Sequence, residues 1–177
     1  MKLIMLLFLT ISLYANSYIV TKITDGDTLQ VIDKSITNPT KNDIIKVRLA
    51  FIDTMESVRN NRAKKLAKTC NIDIEKIIVI GKQSKLYLSS LVMGKEVTIN
   101  FYGKDDLGLR MVGEIFLIND IESINIQMAK HGYGLPYYKY LKKFNQDIEY
   151  YNWLLSYGSS KNNEILNNTC ILKSLWK

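Results

Sequence analysis

Four acidic residues and two arginines stand where they could share one piece of chemistry. "TDGDTLQV" (24–31) carries Asp25 and Asp27 about a glycine, "RLAFIDTMES" (48–57) carries Arg48, Asp53 and Glu56, and "DDLGLRMVGEIFL" (105–117) carries Arg110. Carboxylates at the ends of neighbouring strands, Asp27 and Asp53, could place their oxygens around one hard divalent cation. Glu56, three residues beyond Asp53, is near enough to orient or deprotonate a water. Arg48 and Arg110 would offer forked positive charge to a phosphate in a geometry that lysine cannot reproduce. A cation, a base and fixed positive charge are what hydrolysis of a phosphodiester requires.

Each residue also has a plainer use. Asp-Gly between apolar runs is a common hairpin turn, so Asp25 is read as a turn former. Arg110 could guard a sheet edge. Arg48 is harder to explain away, because a guanidinium inside an apolar strand is costly without anionic partners.

The elements that must position these groups are mostly strands. "SYIVTKIT" and "DTLQVID" read as a hairpin joined at Asp25-Gly26, and "IIKVRLAFI" (44–52) as a third strand. "EVTINFY" and "RMVGEIFLI" follow as two more, with "GKDDLGL" between them as a turn. Residues 57–76 are basic and weakly patterned, and read as a surface excursion. Helices are expected in "GKQSKLYLSSLVMGKEV", stopped at Gly94, in "SINIQMAKHGYG", capped at Ser123 and ended at Gly132, and in "FNQDIEYYNWLLSYG". The expectation is an α+β, mainly β domain: a five-stranded oligonucleotide/oligosaccharide-binding (OB) barrel with about three helices.

In order and spacing the three acidic and arginine-bearing segments resemble the staphylococcal nuclease (thermonuclease) family, whose motifs are of the type DGDT, R-L-x-x-[IV]-D-T-P-E and D-x-Y-G-R. The resemblance covers roughly residues 18–145. It implies an OB-fold endonuclease that uses Ca²⁺, attacks phosphorus with water and leaves 3′-phosphorylated products from DNA and RNA, with little sequence preference. It implies Asp27, Asp53 and the Thr54 carbonyl as metal ligands, and Arg48, Glu56 and Arg110 as catalytic residues. By position, Tyr138 and Tyr140 match the tyrosines that lie against the nucleotide, with Lys139, Lys142 and Lys143 nearby. A catalytically inactive OB-fold module that binds nucleic acid is the alternative, and retention of Asp27, Asp53, Glu56 and Arg48 argues against it.

The chain departs from the family in three places, one of them the excursion at 57–76, from which no family role is carried over. Met55 stands where proline is usual, which could loosen the loop bearing Glu56. Leu107 replaces an aromatic, and Leu109 separates Gly108 from Arg110, so that a one-residue bulge is needed to keep Arg110 in place. His131, at a helix end, reads as a favourable end charge and not as a catalytic group.

Composition bounds the rest. The 177 residues carry a net charge of +7, which suits a polyanionic partner. A basic start at Lys2, an apolar run to Ala15 and then Asn16-Ser17 form the layout of a signal peptide (1–15), too short for a comfortable span. The expected protein is exported, periplasmic or secreted, with a nuclease domain over 16–157, a tail over 158–177 and no membrane span once the signal is removed; an uncleaved anchor is the alternative. DNA and RNA are the expected partners, and no stable protein partner is evident. Cys70 and Cys170 permit one disulfide, though nothing in the sequence shows that they meet.

Overall fold

A computed structural model describes residues 16–149, 152, 170 and 171. The expected signal segment and tail lie outside these residues, apart from 170 and 171. So does most of the helix expected over 144–158, of which residues 148, 149 and 152 are helical.

Five strands close into a barrel. β1 (Ser17–Asp25) and β2 (Thr28–Asp33) turn Tyr18, Val20, Ile23, Leu29 and Val31 into the core. β2 pairs antiparallel with β3 (Ile45–Leu49), placing Thr28 opposite Arg48. β5 (Glu96–Lys104) and β6 (Met111–Leu117) form the second hairpin. The barrel closes through antiparallel β1–β5 pairing and parallel β3–β6 pairing, Arg48 opposite Val112. Val20, Leu29, Val31, Val47, Leu49, Val97, Val112 and Ile115 fill the interior.

The parallel β3–β6 pair needs a long crossover, and this carries two helices. α1 (Asn61–Cys70) is capped by the Asn60 side chain, which accepts from the Ala63 N–H, and ends at Asn71 in the left-handed region. α2 (Ile74–Val92) starts at an Asp73 cap and stops just before Gly94. The excursion expected over 57–76 is therefore helical along much of its length. Its lysines face solvent while Ala63, Leu66, Ala67 and Cys70 pack on Met55, Ile77, Ile78 and Leu135 in a second apolar cluster. Met55 is buried there, so packing anchors the loop where a proline would have stiffened it. Ile171 belongs to the same cluster, and Cys170 forms a disulfide with Cys70.

α3 (Ile124–Lys130) is capped by Ser123, as expected. α4 (Tyr138–Lys143) lies in a stretch that reads as a tyrosine-rich loop. No helix among the described residues is long and apolar enough to cross a membrane.

The strand expected over 44–52 breaks at Leu49. Ile52 N–H donates to the Ala50 carbonyl at 2.8 Å and Phe51 sits at φ 66°, which defines a γ-turn of the rarer, strained form. The Phe51 ring is fully buried against Tyr102 and Phe144, and that burial holds the turn. Asn125 of α3 braces it, donating to the Ala50 and Gly113 carbonyls at 2.8 and 3.2 Å and accepting from Ile115 N–H. Beyond the turn, β4 (Ile52–Asp53) pairs with β7 (Leu135–Pro136) outside the barrel.

Candidate active site

The γ-turn sends Asp53 back toward the strand it has just left. Arg48, buried on β3, reaches Asp27 with Nη1 at 2.8 Å and Asp53 with Nη2 at 2.5 Å. Asp27 lies in the turn between β1 and β2, which consists of Gly26-Asp27, one residue later than the sequence reading placed it. Its carboxylate also accepts from the Thr28 hydroxyl at 2.9 Å and the Thr54 N–H at 3.1 Å. Asp25 accepts from Gly26 N–H and from Ser57 N–H, so it shapes the turn and also ties it to the Glu56 loop.

α2 supports that loop at close range. A Cβ at Gly81 would lie 2.6 Å from the Ser57 nitrogen and overlap the Glu56 carbonyl. Ser84, one turn on, lies against Gly26, where a Cβ would fall 2.7 Å from both the Ser84 Cβ and the Thr54 hydroxyl. The Glu56 carboxylate is mostly buried, with Oε2 accepting from Asn60 Nδ2 at 2.5 Å and Oε1 from Arg62 Nη1 at 2.9 Å. Arg62 Nη2 contacts the second oxygen of Asp53. Neither Asn60 nor Arg62 stands out in the sequence; the only signal was asparagine at a helix start.

Arg110 also reaches this region. It precedes β6, donates Nε to Asp105 at 2.8 Å and Nη1 to the Thr28 hydroxyl at 3.2 Å, and so stands one hydroxyl away from Asp27. Asp105 steadies the turn by accepting from the Leu109 and Arg110 N–H groups. The bulge expected at Leu109 lies instead on the partner strand, where the β5–β6 register slips between Phe101 and Gly103. Leu107 and Leu109 point outward, 76% and 70% exposed.

Burial dominates the titration of the acidic groups. It would raise the Asp27 carboxyl, but Arg48, Arg62 and the hydrogen bonds from Thr28 and Thr54 outweigh it and hold Asp27 below the usual range. Burial pushes Asp53 up, and Asp27 beside it adds to the rise against Arg62 and Arg48. Glu56 is also raised, chiefly by burial, with Arg62 and Asn60 offsetting part of it.

The two tyrosines differ. Tyr138, the first residue of α4, is partly exposed, with its hydroxyl on Asn152. Tyr140 is 3% exposed, its ring packed edge-on against Tyr137 and Phe144, which leaves no face for a base to stack on. The stacking role expected of Tyr140 does not fit this position. Tyr137, which nothing in the sequence sets apart from its neighbours, places its ring 5.6 Å from the Arg48 guanidinium. Lys139 and Lys143 pair with Asp106 at 2.5 and 3.5 Å and fasten α4 to the tip of the β5–β6 hairpin. His131 caps α3 beside Tyr87 and takes no part in the cluster.

A hard cation fits the donors gathered here. The Asp27 and Asp53 carboxylates are buried around Arg48 with the Thr54 N–H on Asp27, and the Thr54 hydroxyl, against Gly26, is buried without a hydrogen-bond partner among the described residues. Such oxygens are the ligands Ca²⁺ prefers. No three acidic, histidine or cysteine side chains converge closely enough to form a cage among the described residues, so the protein's share would be two carboxylates and Thr54.

Residues 46–156 match the family model for "Staphylococcal nuclease homologue". The chain is also 32% identical over 125 residues to an "Uncharacterized endonuclease" of Haemophilus influenzae, a match covering 71% of this chain and 54% of that protein. The chain thus spans about half the length of that curated relative. The matched region holds Arg48, Asp53, Glu56 and Arg110, and with the barrel that carries them the chain belongs to the staphylococcal nuclease homologue family.

Proposed function

We propose that the protein is an exported, Ca²⁺-dependent endonuclease that hydrolyses DNA and RNA phosphodiesters with low sequence specificity. The observation that carries this reading is the buried Asp27–Arg48–Asp53 arrangement with Glu56 beside it and Arg110 at its edge. The family and the printed name of the Haemophilus relative support nuclease chemistry. The Cys70–Cys170 bond supports export, since disulfides persist in oxidising compartments.

Asp27, Asp53 and the Thr54 carbonyl would hold Ca²⁺, which when bound offsets phosphate charge and makes a water easier to deprotonate. The remaining work falls to the chain's own groups. Glu56, turned by Asn60, takes the proton of the attacking water, and its raised pKa suits a base. Arg48 holds the two aspartates in register and brings a buried positive charge beside the phosphate. Arg110, partly exposed and steadied by Asp105, meets the charge that develops on the phosphoryl oxygens. Tyr138 and the basic face of α4 track the strand of nucleic acid without reading its sequence.

The test is purified protein incubated with plasmid, single-stranded DNA and RNA, in Ca²⁺ or in chelator. Cleavage in Ca²⁺ alone is the expected result. Full-length nucleic acid persisting in Ca²⁺, despite measurable binding, would leave a binding module in place of an enzyme.

A further inference from the structure

Asp53 and Glu56 are already occupied. Arg62 places one guanidinium nitrogen on each of them, and with Arg48 on the other oxygen of Asp53 both oxygens of that buried carboxylate are taken. The three carboxylates Asp27, Asp53 and Glu56 thus face two guanidinium groups, leaving one negative charge for a divalent cation to meet.

The two arginines are not alike. Arg48 is buried on a barrel strand, whereas the Arg62 side chain is 47% exposed and extends from the first turn of α1. That turn contains no acidic residue, and a cation at a helix N-terminus faces the positive end of the helix dipole. Among the described residues, Asp53, Glu56 and the more distant Asp27 are what draw Arg62 there. A long, half-exposed side chain held by carboxylates alone can be exchanged for a metal ion without unfolding anything.

We propose that Arg62 is an exchangeable counter-ion, which neutralises Asp53 and Glu56 in the metal-free protein, leaves them when the divalent cation enters, and then contacts a phosphate of the bound nucleic acid. This rests on the reading of the site as a Ca²⁺ nuclease. The exchange frees Glu56 Oε1 to take a proton from water only once the cation is in place. The metal-free protein is thereby kept both paired and idle.

The experiment measures Ca²⁺ binding by calorimetry, and thermal melting in Ca²⁺ and in chelator, for wild type, Arg62→Gln and Arg62→Lys. KM for single-stranded DNA at saturating Ca²⁺ is measured alongside. Arg62→Gln is expected to bind Ca²⁺ tighter by on the order of tenfold, since a competing interaction has been removed. It should melt lower than wild type in chelator and regain the difference in Ca²⁺. Its KM should rise several-fold, while Arg62→Lys stays near wild type. Unchanged Ca²⁺ affinity in Arg62→Gln, with wild type still binding Ca²⁺ and cleaving DNA, overturns the exchange and leaves the nuclease reading intact. An unchanged KM overturns the phosphate contact. If wild type and Arg62→Gln both fail to bind Ca²⁺ or cleave, the nuclease reading fails and takes the inference with it.

Discussion

Gly81, in the middle of α2, lies against the backbone of Glu56 so closely that a single added methyl group would overlap the Glu56 carbonyl. A glycine inside a helix ordinarily costs about 0.5–1 kcal/mol relative to alanine. Here alanine should reverse that gain. Gly81→Ala is expected to lower stability by about 1–3 kcal/mol through overpacking and to reduce kcat by displacing Glu56, the proposed base. Urea unfolding and steady-state kinetics check both, and a more stable, fully active variant would mean that the loop moves aside freely.

Arg48 joins two carboxylates with two different nitrogens, a task that a single ammonium cannot perform at both distances. Replacing it with methionine leaves Asp27 and Asp53 facing each other underneath the barrel end. The expected cost is about 3–5 kcal/mol, the range for breaking a buried ion pair from one side. Arg48→Lys should recover part of the stability and little of the activity. Denaturant midpoints and turnover, measured side by side, make the comparison.

Asp105 offers a pH signature away from Asp27 and Asp53. Burial would raise its carboxyl, but the hydrogen bonds from Arg110 and from the Leu109 and Arg110 N–H groups outweigh this and lower it. A carboxyl lowered on folding adds stability above its unfolded pKa and loses it as pH falls through the folded value. Wild type should therefore lose this contribution below the ordinary aspartate range. Asp105→Asn should be less stable near neutrality and show a shallower loss in acid. Melting temperatures between neutral and strongly acidic pH, wild type against variant, provide the readout, and parallel curves would contradict it.

Reduction of the Cys70–Cys170 bond reopens a loop of about a hundred residues, worth about 4–5 kcal/mol on a chain-entropy basis and about 2–5 in practice. α1 begins at the Asn60 cap, which holds Glu56, and ends at the crosslink. A reductant should lower the melting temperature and, below it, reduce kcat more than it raises KM. Cys70→Ser paired with Cys170→Ser should behave as the reduced protein does.

Tyr138 and Tyr140 separate by burial. Tyr140→Ala should destabilise by about 3–5 kcal/mol, as core aromatics do. Tyr138→Ala should cost far less stability and weaken binding to single strands. Equilibrium unfolding and fluorescence titration with short oligonucleotides distinguish the two.

The barrel was legible because its strands alternate or run apolar between turn residues, and "DGDT" punctuates them. Asp27, Arg48 and Asp53 were legible as a group because an arginine inside an apolar strand demands partners. The γ-turn was not, since "RLAFID" reads as one unbroken strand and only the burial of Phe51 and the brace from Asn125 bend it. α1 was hidden because lysines dominate its composition while a narrow stripe of Ala63, Leu66 and Ala67 does the packing. Arg62 was lost among those same cations, as nothing local distinguishes an arginine that faces Asp53 from one that faces water.

The parallel pairing of β3 with β6 has a consequence for how activity arises. Arg48 lies on β3 and Arg110 just before β6, and those strands meet only after α1, α2 and β5 have been laid down. Long-range parallel pairing of this kind forms late and slowly during folding. Helical signal will return early when the denatured chain is diluted into buffer, and hydrolysis will return only with the last seam of the barrel. On the proposed nuclease reading, turnover is thus a clock for closure, and no fragment short of β6 should keep time.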